Sequence, residues 1–416
     1  MTDIAHSEYI RYNSKGALMR RWIATILLRS NLESQLMFSR LDPLITAGFD
    51  TSPLTKDNVE DAPFIRSWLE AELKRCGSER FDEADVFAIN TRQIRKSVGL
   101  NVVELAILRF ACLVTCYKPL NAAAEVGCDG YTEADTCDLL SELLDKPFEA
   151  IYEALRPSGL LRQSGLIQPG HGFVGSQPLE RWFSIPVMLA REIFRAQDED
   201  NLLISAFYQA GPKSTLGKRD FPQVSELGLL KKYLRAAIKE GAVGSNVLLW
   251  GAPGTGKTEM ARHVAQSLRK RSLEINSIDS DNQALKATDR LDCYRFCQAI
   301  LARSSNAIVT FDEVEDVLCD GNFSMWGFRS NAKFSKSMIN TILETNKTPA
   351  IWITNTVEGI DPAYLRRFDF VINLKTPVAG TKRRMALRAF EDLPMQKGVV
   401  DRLVRHNAIT AAHMKK

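Results

Sequence analysis

Apolar residues recur at helical spacing through the first two hundred positions. In 17–28 (ALMRRWIATILL), Leu18, Trp22 and Ile26 run beside Met19, Ile23 and Leu27, which predicts an amphipathic helix. Phe64, Ile65, Trp68 and Leu69 repeat the pattern after Pro63, a residue suited to a first helical turn. Segments 102–116 and 133–155 continue it. EADTCDLLSELLDKPFEAIYEALRPSGLLRQSGLIQ, residues 133–168, reads as helix, turn, helix and then two short apolar runs, the outline of a winged-helix-like module within 101–168. Pro169 and glycines 165, 170, 172 and 175 break the pattern between about 156 and 178. A helix from about Ser184 to Ala210 is expected next, and the glycine-, lysine- and proline-bearing stretch 211–220 has the composition of a linker.

After Phe221 the pattern changes. Asn246 to Trp250 (NVLLW) is a short continuous apolar run of buried-strand type, followed by GAPGTGKT (251–258) and the helical EMARHVAQSLRKR. Strand, glycine loop and helix are the context that G-x-x-x-x-G-K-T requires. Glycines 251, 254 and 256 let the backbone curl so that successive N–H groups face phosphate oxygens, and the helix N-terminus adds to the attraction. Gly251, Ala252, Pro253, Gly254, Thr255, Gly256, Lys257, Thr258 and Glu259 are the candidate ATP-binding set; Lys257 would reach the β and γ phosphates and Thr258 would ligate Mg²⁺. A second apolar run, 307–311 (AIVTF), ends in Asp312-Glu313. There the aspartate would complete the Mg²⁺ shell and the glutamate would orient or deprotonate the attacking water.

GAPGTGKT, FDEVEDV, IWITNT (351–356) and DPAYLRRFDFVINL (361–374) resemble, in order, the Walker A, Walker B, sensor 1 and arginine-finger segments of an AAA+ ATPase of the AAA clade. The resemblance covers about 221–416 and implies an α/β P-loop NTPase core over 221–375 with a five-stranded parallel sheet. A short helical lid over 376–416 and a homo-oligomeric ring, a hexamer in the family, are implied with it. By the same resemblance Asn355 is the sensor that positions the lytic water with Glu313. Arg366 and Arg367 are the candidate fingers that reach a neighbour's γ-phosphate; the family separates two such arginines by a Pro-Gly pair, and here they are adjacent. FPQVSELG (221–228) stands where the family cradles adenine, with Val224 the chosen contact.

The pattern departs from the family in two places. The loop near Asp279 to Thr288 lacks the aromatic that ring translocases of this clade use to grip a polypeptide, whereas 320–334 carries Phe323, Trp326 and Phe328 around Gly327, either a substrate grip or packing against the sheet. The lid offers helices near Lys382 to Glu391 and Lys397 to Arg405 and a third that starts at Thr410, so it reads as unfinished or completed by a partner.

Composition sharpens this reading without redirecting it. The 416 residues, 45% apolar and 25% charged, suit two or three soluble domains, at roughly 150 residues each. The net charge of +4 is carried by the end of the chain, where 381–416 holds nine Lys/Arg against three Asp/Glu. The 101–168 module holds ten acidic and five basic side chains, which argues against phosphate contacts and for a protein-facing role. Eight scattered cysteines without CxxC pairs give no metal-site signal other than the Mg²⁺ implied above. With no signal-like N-terminus and no apolar run of about 20 residues, a cytoplasmic protein without membrane contact is expected. The leading expectation is an Mg²⁺-dependent ATPase that remodels an unknown protein substrate, recognised by a mostly helical N-terminal region over 1–210. A nucleic-acid-directed motor or loader, and a nucleotide-dependent assembly switch of low turnover, are the alternatives.

Overall fold

The computed structural model describes residues 16–29, 41–55, 58, 61–77, 82–128, 131–168, 184–195, 202–303, 306–319 and 336–389. The chain divides into two compact units, Met1–Leu203 and Ile204–Lys416. In the first, every described element is helical: Ala17–Arg29, Leu41–Thr46, Ala62–Cys76, Val86–Ile94 with a π turn at Arg95–Gly99, Val102–Cys116, Lys118–Gly127, Glu133–Leu144, Phe148–Leu155, Leu160–Gln163 and Val187–Glu192. Capping boxes start two of them. Asn101 and Glu104 exchange 2.8 Å hydrogen bonds, and Thr132 and Asp135 exchange bonds of 2.9 and 3.3 Å, satisfying N–H groups that a helix start leaves open. Trp22 joins three helices: its ring meets Phe110 edge-on at 5.2 Å, and its Nε1–H donates to the Leu143 carbonyl at 3.0 Å.

The 133–155 segment is two helices, broken where Asp145 turns left-handed (φ 53°) before Pro147. Of the apolar runs after it, the first is a helical turn, Leu160–Gln163, and the second ends in an antiparallel bridge between Gln168 and Ser184. Residues 169–183 lie outside the described residues.

The second unit holds a six-stranded sheet of β1 (Tyr208–Ala210), β2 (Asn246–Trp250), β3 (Arg271–Ile275), β4 (Ala307–Phe311), β5 (Ala350–Thr354) and β6 (Phe370–Asn373), in the order β1-β3-β4-β5-β2-β6. The expected five parallel strands are β2 to β6. The sixth, β1, corrects the helix expected from Ser184 to Ala210: helical residues occur at 187–192 and 202–205, and Tyr208–Ala210 runs antiparallel against Ile275–Leu273. Pairing with the open edge of β3 outweighs the local helical pattern of so short a stretch.

Alternation along each strand sorts the two faces. Val247, Leu249, Ile308, Ile351, Ile353 and Ile372 pack with Leu230 and Leu234 of the helix Leu227–Glu240 and with Met260, Ala261 and Val264 of Lys257–Ser267. Other strand positions build an aromatic cluster in which Trp352 lies 4.8 Å from Tyr294 and 5.1 Å from Phe311. Helices over both faces suit the parallel strands, of which β4 and β5 are buried along their whole length. Of the segment expected to form a lid, Ala379–Ala389 is a helix; the two helices expected after it lie outside the described residues, as do Phe323, Trp326 and Phe328. The 279–288 loop folds on Asp279, whose Oδ1 accepts the N–H groups of Asp281 (3.0 Å) and Gln283 (2.8 Å).

Candidate functional site

Strand order brings the site together. Because β4, β5 and β2 are parallel neighbours, the residues that follow them, Asp312, Asn355 and Gly251, emerge side by side at one edge of the sheet. The connection from β2 leaves toward β3 and the one from β5 crosses to β6, so the edge is the switch point where open α/β sheets bind ligands.

The loop 251–256 needs its glycines. Gly251 has φ 146°, and a Cβ there would lie 2.3 Å from the Leu374 carbonyl oxygen. Gly256, at φ 95°, turns the chain into the helix Lys257–Ser267. Thr255 Oγ1 donates to the Ala252 carbonyl at 3.0 Å and braces the curl, while Ala252 and Pro253 are exposed. Lys257 is only 7% exposed; its Nζ donates to the carbonyls of Gly251 (2.7 Å) and Ala252 (3.1 Å) and to Asn355 Oδ1 (2.9 Å). Burial lowers its pKa, and the carboxylates of Asp312 and Glu315 pull the other way.

Thr258 Oγ1 donates to Asp312 Oδ2 at 2.6 Å, joining the helix start to the end of β4. The second Asp312 oxygen accepts the Glu313 N–H at 2.9 Å. Glu313 is exposed and left-handed, with φ 52°, a conformation rare for a residue with a Cβ. Asn355 is exposed, and its N–H donates to the Glu315 carboxylate. Glu259 faces elsewhere: it accepts from Arg262 Nη1 (3.1 Å) and Ser214 Oγ (3.0 Å), and Arg262 also grips Glu274 of β3 with two bonds of 2.6 and 2.8 Å.

Val224 is buried in the apolar cluster with Phe221, whose ring lies 3.8 Å from where a Cβ on Gly256 would be. Phe221 also meets His263 at 5.7 Å between ring centroids. Lys231 Nζ lies 2.8 Å from His263 Nε2; an ammonium has only donors, so the imidazole accepts as the neutral ring.

Arg366 and Arg367 follow the short helix Pro362–Leu365 and, among the described residues, make no hydrogen bond to the set just described. They differ in freedom. Arg367 Nε donates to Glu344 Oε1 at 2.7 Å, and its Nη1 bonds the Ala363 carbonyl; the Arg366 side chain is exposed.

Two participants were not legible as motifs. Glu315 reads as one more acid in FDEVED. Arg290 sits on the helix Ala287–Leu301, buried, with its guanidinium on the carbonyls of Asp312 and Glu313. The signal available for it was spacing: positions 290, 294, 297 and 301 share one helical face, and a charge on that otherwise buried stripe is anomalous.

Residues 247–376 match the model of the "ATPase family associated with various cellular activities (AAA)". Three curated proteins are similar over part of the chain. "Protein SUPPRESSOR OF K(+) TRANSPORT GROWTH DEFECT 1" of Arabidopsis thaliana is 29% identical over 151 residues, 35% of this chain and 34% of its own. An "AAA ATPase forming ring-shaped complexes" of Corynebacterium kroppenstedtii is 28% identical over 181 residues, 40% of this chain and 32% of its own. The "26S proteasome regulatory subunit 10B" of Dictyostelium discoideum is 28% identical over 169 residues, 38% of this chain and 41% of its own. The chain thus spans about a third of the length of such relatives. No described helix is long and apolar enough to cross a membrane. The matched span contains the glycine loop, both acidic residues after β4, Asn355 and the arginine pair, so residues 247–376 of this chain resemble an AAA-family ATPase domain.

Proposed function

We propose that the chain binds and hydrolyses ATP with Mg²⁺ and couples turnover to remodelling of a protein partner. The observation that carries this reading is the pairing of Lys257 with Asn355 (2.9 Å) and of Thr258 with Asp312 (2.6 Å) where three adjacent strands end. A Thr hydroxyl and a carboxylate oxygen 2.6 Å apart are hard donors that suit Mg²⁺, which takes few protein ligands and leaves room for phosphate and water. When bound, the ion would neutralise phosphate charge.

This chain's own residues supply the remaining roles. The N–H groups of 254–258 and the Lys257 ammonium receive the phosphates, with Ala252 and Pro253 at the loop surface. Val224, beside Phe221, borders the adenine. Glu313 takes the proton of the attacking water, and Asn355, fixed through its backbone to Glu315, orients that water. Arg366 is the finger offered to a neighbouring copy, because Arg367 is committed to Glu344. Fingers that act in trans require assembly, a relative described as forming ring-shaped complexes supports a homo-oligomeric ring, and the family resemblance implies that the ring is a hexamer. Eight free thiols suit a reducing cytoplasm. The acidic excess of 101–168 favours a protein partner over nucleic acid.

Glu313→Gln tests the reading. The variant is expected to bind ATP as the parent does and to turn it over at least about 10²-fold more slowly, the usual contribution of a positioned base. Unchanged turnover would remove Glu313 from the chemistry.

A further inference from the structure

Glu313 owes its backbone conformation to a residue 23 positions earlier. Arg290, 5% exposed, donates from Nη1 to the Glu313 carbonyl at 2.9 Å and to both Asp316 oxygens at 3.1 Å. Its Nη2 donates to the Asp312 carbonyl. The guanidinium carbon lies 5.0 Å from the centroid of the Phe311 ring. One planar fork therefore bridges the two carbonyls that flank Glu313, and this restrains both backbone torsions of the residue between them. Glu313 needs such restraint: at φ 52° it holds a sparsely populated conformation that lasts only where its surroundings over-determine it. Two further bonds act at the same turn, from the Glu313 N–H to Asp312 Oδ1 at 2.9 Å and from the Val314 N–H to the Ile353 carbonyl at 3.1 Å. Packing alone does not account for Arg290, since an apolar residue on this buried face would avoid the desolvation of a charge.

We propose that Arg290 is a positioning residue for ATP hydrolysis: by clamping the carbonyls on either side of Glu313 it fixes the direction in which that carboxylate leaves the sheet edge. The proposal rests on the reading of Glu313 as the group that activates water. Arg290 reaches the site through the carbonyls of Asp312 and Glu313, and its role is to position Glu313. Its loss therefore slows turnover and leaves nucleotide affinity unchanged.

The test is a mutant cycle on the full chain, reading steady-state ATP turnover and the affinity for a fluorescent ATP analogue. The proteins are the parent, Arg290→Met, Arg290→Lys, Glu313→Gln and the two double variants. Arg290→Met is expected to lower turnover on the order of 10²-fold, the loss that follows a displacement of about 1 Å in a reacting group. Affinity should stay within about two-fold. Lysine keeps a charge beside Asp316 but, on its flexible stem, lacks the rigid planar fork that fixes both carbonyls in one geometry, so Arg290→Lys also slows turnover, and it carries the comparison if the methionine variant fails to fold. With Glu313→Gln already present, neither substitution should slow turnover further, because groups that act as a unit are not additive. Losses that multiply in the double variants, affinity that falls with turnover, or parent-like turnover in both Arg290 variants would overturn the proposal. Turnover insensitive to Glu313→Gln would instead overturn the reading of Glu313 on which it rests.

Discussion

Gly251→Ala puts one methyl group where the fold has no room. The added Cβ would lie 2.3 Å from the Leu374 carbonyl oxygen, well inside van der Waals contact, so the two backbones must separate by about 1 Å. At φ 146° the residue also occupies a region that side chains rarely enter, which costs on the order of 1–3 kcal/mol. The bond from the Leu374 N–H to the Trp250 carbonyl, 2.7 Å, spans the same contact and gives way with it, at about 1 kcal/mol. Together these give a loss of about 2–4 kcal/mol from the ATPase unit. The site is affected beyond that, since Lys257 Nζ bonds the Gly251 carbonyl and moves when it does. A shift of about 1 Å is worth about 10²-fold in turnover. Hydrogen exchange at the amides of β2 and β6 measures the first effect locally, and steady-state ATP turnover the second. Protection within about 0.5 kcal/mol of the parent, together with parent-like turnover, would refute the steric argument.

Other perturbations have equally definite outcomes. Asn246 is fully buried, its Nδ2 donates to the Leu343 carbonyl (2.6 Å), and its Oδ1 accepts from Trp352 Nε1 (3.0 Å), so Asn246→Ala should cost about 2–4 kcal/mol by orphaning buried groups, read by hydrogen exchange at β2 and β5. Arg367→Ala breaks an exposed ion pair with Glu344 and should lower stability by no more than about 1 kcal/mol in chemical denaturation. For His263, burial foremost and then the Lys231 charge hold the pKa below 6.5, against an upward pull from its hydrogen bond to the Leu216 backbone. The unfolded chain therefore binds the extra proton first, so this contribution to stability is complete above pH 6.5 and fades as the pH falls from there through the lower folded value. Denaturation midpoints at pH 7.5 and 5.5 should converge in His263→Gln relative to the parent.

What the sequence disclosed and what it concealed divide along physical lines. Strands β2, β4 and β5 were legible because each is a continuous apolar run followed at once by residues with a chemical reason to be there: a glycine loop, an acidic pair, an asparagine. Their side-by-side arrangement follows from strand order, which local pattern does not disclose; the family resemblance implied a five-stranded parallel sheet but not the order of its strands. Strand β1 was misread as the end of a helix, because three residues carry little period and their partner lies over sixty positions away in β3. Arg290 and Glu315 passed unremarked, since a pattern of types does not say which charge turns inward until the helix is laid on the sheet. The adjacent arginines show the converse. Sequence offered two candidates, and the bonds of Arg367 to Glu344 and to the Ala363 carbonyl set it apart from Arg366.

The central claim, hydrolysis of ATP completed by an arginine from a second copy, is tested most directly by ATP turnover per subunit measured against protein concentration, for the parent and for Arg366→Ala. The account predicts that parent turnover rises with concentration as subunits assemble, while Arg366→Ala assembles, binds nucleotide and stays slow at every concentration. Turnover per subunit that is independent of concentration, or an Arg366→Ala protein as active as the parent, would contradict it.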